Sequence, residues 1–267
     1  MILRTATEHL SRNIVLKRRL PSRVGGERIY VSPDASLKLW RWNLERVEPR
    51  LFNWAEEFVH EGDVVWDVGA NVGLFAFAAA SLAGTSGYVL AIEADRWLAE
   101  LLRRSASHIS KKCAPVEVLP LAVSDSLDIA RFNIAERGRS TNHLEQVEGS
   151  TQTGGIRSSV MVVTISLDWL LERSPAPGVV KIDVEGAEYR VLEGAPNLLS
   201  QVRPLILCEV SSENAEGVGS LLRSYGYELF NLDAEQHQRK LLSTPAFNTL
   251  ARLNSSATTS SRILGFA

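Results

Sequence analysis

The sequence is short of the features that mark several protein classes. Only two of its 267 residues are cysteine, Cys113 and Cys208, too few for a disulfide framework. Such sparse cysteine points to a reducing compartment, and Cys208, inside an apolar run, reads as a small buried hydrophobe. No run stays apolar for the roughly 18 residues that mark a membrane helix. Arg4, Glu8, Arg12 and Lys17 interrupt anything like a signal-peptide core. The expectation is a cytoplasmic protein without a membrane span. Excess charge is missing too: 29 Lys and Arg against 31 Asp and Glu leave a net charge of −2. That balance gives no global attraction to nucleic acid or to an anionic membrane. What remains is 45% hydrophobic and 22% charged, the ordinary make-up of a globular chain long enough for one full core with a small cap.

The informative residues concentrate at 64–75. An apolar, β-prone run from Val64 to Val68 meets Gly69, Asn71 and Gly73, then an alanine-rich stretch from Leu74 to Ala83. This predicts strand, tight turn and helix. Gly69 and Gly73 allow a ligand close to the main chain, Asn71 is a candidate cap, and the free amides at the helix start favour an anionic group. Twenty residues past Gly73, the strand Tyr88–Ile92 ends in Glu93. An acid at that spacing accepts hydrogen bonds from both hydroxyls of a ribose. The ligand so described has a nucleoside and a charged tail. The spacing Asp67-Val68-Gly69-Ala70-Asn71-Val72-Gly73 is not the G-x-G-x-x-G of dinucleotide sites; it resembles the first motif of Rossmann-like methyltransferases that use S-adenosylmethionine.

Along the rest of the chain, residues 1–30 carry an excess of basic groups, and residues 28–42 read as short strands around a turn at Ser32-Pro33-Asp34. Pro49 opens a helix whose Leu51, Phe52, Trp54, Ala55, Phe58 and Val59 share one face, with Gly62 as its stop. A helix over 95–108 and a strand over 116–123 follow, the strand closed by Ser124 and Asp125. Residues 131–160 read as a polar, glycine-rich loop carrying His143, and a strand follows over 160–165. A second informative stretch, Lys181-Ile182-Asp183-Val184-Glu185-Gly186-Ala187-Glu188, is a buried-type strand running through three acids into a helix. Another strand ends in Glu209. Asp67, Glu93, Asp125, Asp183 and Glu209 thus all fall at strand ends, where open α/β sheets bind ligands. The last two strands, 227–232 and 247–251, are expected to pair antiparallel. The serine-rich end over 255–261 reads as a loose tail.

The turn at 67–73, Leu121-Ala122-Val123-Ser124-Asp125, the segment 181–188 and Val191-Leu192-Glu193-Gly194 together resemble the FkbM family of S-adenosylmethionine-dependent methyltransferases. The likeness covers about residues 45 to 251, and the Lys-Ile-Asp-Val-Glu-Gly segment is its most specific part. It implies an α/β, Rossmann-like class I fold. The expected sheet has seven strands, mostly parallel with an antiparallel last strand, and helices on both faces. Residues 1–45 would be an N-terminal extension or cap, 46–254 the methyltransferase domain and 255–267 a flexible tail. It further implies O-methyl transfer to a hydroxyl of a small molecule or glycan. Asp67, Gly69, Asn71 and Gly73 would line the methionine end, Glu93 the ribose, Ser124 and Asp125 the adenine edge, and Asp183 the sulfonium. Asp183, Glu185 and His143 are the candidates for the base that takes the hydroxyl proton. A magnesium ion on Asp183 and Glu209 is an alternative that is not favoured, because no third ligand is evident. Two other readings are a nucleic-acid methyltransferase and a non-catalytic cofactor-binding module. Against the first stand the acidic balance and the lack of an Asn/Asp-Pro-Pro-Tyr/Phe segment.

Overall fold

The computed structural model describes residues 10–145 and 154–254. Part of the expected glycine-rich loop (146–153), the start of the basic segment and the serine-rich end from residue 255 lie outside the described residues. In chain order the elements begin with a hairpin, β1 (Leu16–Arg19) and β2 (Arg28–Val31), followed by a 3₁₀ turn over Leu37–Trp40 and helix α1 (Pro49–Phe58). An alternating unit follows: β3 (Val64–Val68), α2 (Leu74–Ala83), β4 (Tyr88–Ile92), α3 (Arg96–Ala106) and β5 (Val116–Leu119). Short strand β6 (Ala122–Val123), β7 (Asp128–Ala135), β8 (His143–Leu144) and β9 (Ile156–Ile165) come next. The chain closes with α4 (Leu167–Leu171), β10 (Val179–Ile182), α5 (Glu188–Glu193), β11 (Leu205–Glu209), α6 (Ala215–Ser224), β12 (Tyr227–Asn231) and β13 (Asn248–Leu253).

The central sheet has seven strands in the order β12-β13-β11-β10-β3-β4-β5. Strands β11, β10, β3, β4 and β5 run parallel, and β13 inserts antiparallel between β11 and β12. Side chains alternate between the two faces of a strand, and so do the two cores. Val65 and Val89 pack with α1, α2 and α3, while Trp66, Val68, Leu90 and Ile92 pack with α4, α5 and α6. Helix α2 is apolar on nearly every side and almost wholly buried. A helix of that kind has to be covered all round, and Ile29 and Val31 of the N-terminal hairpin belong to the same core as Phe75 and Phe77.

Five expectations are corrected. The stretch read as short strands over 28–42 holds one strand, Arg28–Val31, and a 3₁₀ turn over Leu37–Trp40 where the second was expected. The strand begun at Val116 leaves the central sheet after Leu119, because Pro120 has no amide to continue the ladder. Residues 122–123 then pair in parallel with β9 in a separate four-stranded sheet, ordered β6-β9-β7-β8. The region taken as a glycine-rich loop is largely this hairpin, with β7 and β9 antiparallel from Asp128↔Thr164 to Ala135↔Ile156. Asn71 does not cap α2: it sits in the left-handed region (φ 52°), and the N-cap position belongs to Gly73. Helix α1 ends in extended backbone at Val59, so Gly62 belongs to the following turn rather than to its cap. No helix among the described residues is long and apolar enough to cross a membrane.

Candidate active site

A cavity of about 490 Å³ opens beyond the carboxyl ends of β3, β4, β10 and β11, within the size range of small-molecule and cofactor sites. Its floor is the turn after β3, its far side the acidic turn after β10. One wall comes from Ala35–Leu39 and α1, the other from Phe132, Leu144 and the segment joining β7 to β8.

The turn after β3 is set by close packing. A Cβ on Gly69 would fall 1.8 Å from the carbonyl oxygen of Asp183, and its φ is +79°, so only glycine brings the turns after β3 and β10 together. The amides of Gly69 and Ala70 donate to Ile92 O, each at 2.9 Å. Glu93 is buried beside them. One carboxylate oxygen accepts the Asn71 amide and the other the Asp95 amide, both at 2.8 Å. The carboxylate is thereby fixed at the cavity edge with lone pairs to spare. Burial raises its pKa to about 7, partly offset by the amide donors.

The turn after β10 gathers charge. Lys181 is 4% exposed, its Nζ 3.1 Å from Asp183 Oδ2 and 3.3 Å from Asp67 Oδ1. Burial lowers a lysine pKa, but Asp183 and Asp67 outweigh that here and hold it raised. Asp67 is buried, and Lys181 approaches it outside hydrogen-bond alignment, so neither oxygen has a hydrogen-bond partner. Burial raises its pKa, opposed by Lys181. Asp183, Glu185 and Glu209 each bring one oxygen within 4.8 Å of the others. Burial first, and then the Asp183 and Glu209 charges, push Glu185 up to about 8. Burial and Asp183 push Glu209 up to about 7. Glu185 holds a left-handed backbone (φ 46°) without being glycine, a strain that clusters at functional sites. Glu188 faces away from this work. Its oxygens accept the Gly186 amide (2.7 Å), the Ser211 hydroxyl (3.1 Å) and the Asn214 side-chain amide (2.7 Å), and so brace the turn.

Of the residues singled out in the sequence, Asp67, Gly69, Asn71, Glu93, Asp183 and Glu185 line this one cavity. Gly73, Ser124, Asp125 and His143 are not in its lining. Ser124 is buried and donates its amide to Ile165 O. Asp125 follows the detached strand β6, accepts from Ser126 Oγ at 2.8 Å and lies 3.6 Å from Arg190. A Cβ on Gly194 would fall 2.6 Å from Ser124 O, so this turn packs on the end of α5. Leu121, Ala122 and Val123 face the cavity instead. His143 is buried in β8 with its ring 3.3 Å from Thr141 O.

Two roles went unread in the sequence. Glu185 is the third carboxylate beside Asp183 and Glu209, and the three meet the oxygen-ligand chemistry of a hard cation. Lys181 is the chain's own cation at the same place. Its signal was a lysine inside the apolar run Val179–Ile182, one strand from the aspartate in Val64–Val68. The cavity wall on the β7–β8 side also depends on Arg139. It bonds Asp34 Oδ2 (2.8 Å) in the N-terminal segment and Asp95 Oδ2 (2.5 Å) at the cap of α3.

The model of the methyltransferase FkbM domain matches residues 67–229. The hexuronic acid methyltransferase AglP of Haloferax volcanii is 32% identical over 174 residues, which cover 64% of this chain and 65% of that protein. The chain thus spans just under two thirds of the length of that relative. Among solved structures, a methyltransferase FkbM from Methylobacillus flagellatus KT has 13% identity and a TM-score of 0.44, over 75% of this chain and 50% of that one. A SAM-dependent methyltransferase from Aquifex aeolicus has 13% identity and a TM-score of 0.44, over 82% and 97%. The matched residues hold both the glycine turn after β3 and the acidic turn after β10, and the chain belongs to the FkbM methyltransferase family.

Proposed function

We propose that the protein transfers a methyl group from S-adenosylmethionine to a hydroxyl of a glycan or other small-molecule acceptor. The observation that carries this is one cavity with two chemically distinct ends. At one end the glycine turn and Glu93 form a place for a nucleoside; at the other, carboxylates held near neutral pKa face a wall built from different elements. The cofactor fits the residues present. Glu93 is fixed by two amides with acceptor capacity left for ribose hydroxyls, and the first-turn amides of α2 suit a carboxylate. When bound, S-adenosylmethionine supplies an electrophilic methyl group on a cationic sulfur.

The chain's own residues then orient and deprotonate. The cap segment 35–39 and the β7–β8 segment enclose the acceptor, and holding a hydroxyl in attack geometry is the main source of rate in such a transfer. Glu185 takes the hydroxyl proton, because a carboxylate with pKa about 8 is a far stronger base than an ordinary one. Lys181 places a buried positive charge between Asp67 and Asp183. The relative's name speaks for a uronic-acid-containing glycan as acceptor, and Arg137 at the cavity suits its carboxylate. The free thiols of Cys113 and Cys208 suit a reducing cytoplasmic setting.

The test is calorimetry with S-adenosylhomocysteine, followed by transfer of labelled methyl from S-adenosylmethionine to uronic acid glycosides and neutral glycosides. Binding together with transfer to a glycoside hydroxyl is the expected result. Failure to bind S-adenosylhomocysteine removes the cofactor assignment; binding without transfer to any hydroxyl removes the acceptor.

A further inference from the structure

Trp42 is 82% exposed, and Trp40, two residues before it, is 40% exposed. Scattered surface aromatics need no explanation, but this one is held in place from below. Arg18, 6% exposed, spends its guanidinium on three backbone carbonyls: Arg41 O at 3.0 Å, Lys17 O at 3.1 Å and Trp40 O at 3.1 Å. Two of those carbonyls belong to the residues just before Trp42. The same guanidinium carbon lies 4.4 Å from the Trp42 ring centroid. One buried cation therefore fixes the backbone of this stretch and backs one face of the indole, leaving the opposite face to solvent. Neither tryptophan lines the cavity, but Trp42 follows only three residues after Leu39, the last of the lining run Ser36–Leu39.

We infer that Trp42 is the stacking platform of a second sugar subsite, so that the acceptor is an oligosaccharide whose neighbouring pyranose lies on the indole beside the cavity. This rests on the glycan reading above. A pyranose presents an apolar C–H face with hydroxyls around its rim, which matches a flat aromatic ring that is wet at its edges. A ring backed on one face by Arg18 has part of its conformational freedom already restricted before a ligand settles on it. A protein or membrane contact would call for a wider apolar surface than one indole and its neighbour.

The experiment is calorimetry on the whole chain in the presence of S-adenosylhomocysteine, comparing methyl glucuronide with a tetrasaccharide of alternating glucuronic acid and N-acetylglucosamine. The tetrasaccharide is expected to bind roughly five- to tenfold more tightly than the monosaccharide. Trp42→Ala should abolish that advantage while keeping monosaccharide and S-adenosylhomocysteine affinity, and Trp42→Phe should keep most of it. Equal binding of the two sugars by the unaltered protein, or an advantage that survives Trp42→Ala, overturns the platform alone. If neither sugar binds while S-adenosylhomocysteine does, the glycan acceptor itself has failed and the platform falls with it.

Discussion

Lys181 and Asp67 are direct partners in the pairing of β10 with β3, with Nζ 3.3 Å from Oδ1 and both side chains buried. Removing one member of a buried pair leaves an uncompensated charge, at a cost of about 3–5 kcal/mol. Lys181→Met should therefore destabilise the protein by that amount in urea unfolding at neutral pH. Adding Asp67→Asn should restore part of the loss. A single-variant loss below about 1 kcal/mol would show that the pair is not what holds these two strand ends.

The same lysine bears on metal dependence. Three carboxylates within reach of one another satisfy a hard cation, but Lys181 already sits 3.1 Å from Asp183 Oδ2. With that charge in place, turnover should survive exhaustive chelation and gain nothing from added magnesium. Activity that chelation abolishes and magnesium restores would assign the cluster to a cation instead.

Cofactor affinity should follow the ionisation of Glu93. In the cofactor site proposed above the Glu93 carboxylate, when charged, accepts two ribose hydroxyls, and burial holds its pKa at about 7. S-adenosylhomocysteine should thus bind more tightly as the pH rises through about 7 and level off above it. Glu93→Ala should weaken binding roughly tenfold or more and flatten the pH dependence. Calorimetry across that range in both proteins separates this from a general loss of fold.

Much of this arrangement was legible in the sequence because strand ends and glycine turns are local signals. Gly69 and Glu93 could be placed from spacing alone, since a β-turn-α-β unit fixes where its first turn and second strand end meet. Asp125 could not. Its position depends on whether Pro120 merely bends a strand or ejects it from the sheet, and the outcome is decided by the β7–β9 hairpin that receives residues 122–123. The acidic cluster was visible as a run of acids. A structural role for Glu188 at the start of the following helix was legible too, but not its partners Ser211 and Asn214, which lie more than twenty residues away in sequence.

The base assignment predicts a pH profile. With Glu185 at about 8, kcat/KM should climb as the pH rises and flatten above about 8, because only the deprotonated carboxylate accepts the hydroxyl proton. Glu185→Gln should lower kcat by roughly 10²- to 10⁴-fold while leaving S-adenosylhomocysteine affinity nearly unchanged. A variant with full rate takes Glu185 out of the chemistry.

Stability should carry the opposite sign. Glu93, Glu185 and Glu209 have pKa values raised from 4.5 to about 7, 8 and 7 in the folded chain. Between pH 4.5 and about 8 the folded state therefore binds more protons than the unfolded one, and this contribution to stability is lost as the pH rises. Denaturant unfolding without cofactor should show Glu185→Gln losing less stability than the unaltered protein between pH 5 and 8. Parallel slopes would place the raised ionisation elsewhere.

The four-stranded sheet has a consequence for how this chain tolerates change. The chain departs at Ala122-Val123 and comes back at Thr164-Ile165, and those two pairs run side by side in parallel register. Entry and exit therefore occupy a single doorway at the rim of the central sheet. A segment mounted in that way works as an exchangeable cartridge. A change in its length or composition would reshape the wall formed by Phe132 and Leu144 while the strand order that presents Glu93 and Asp183 stays untouched.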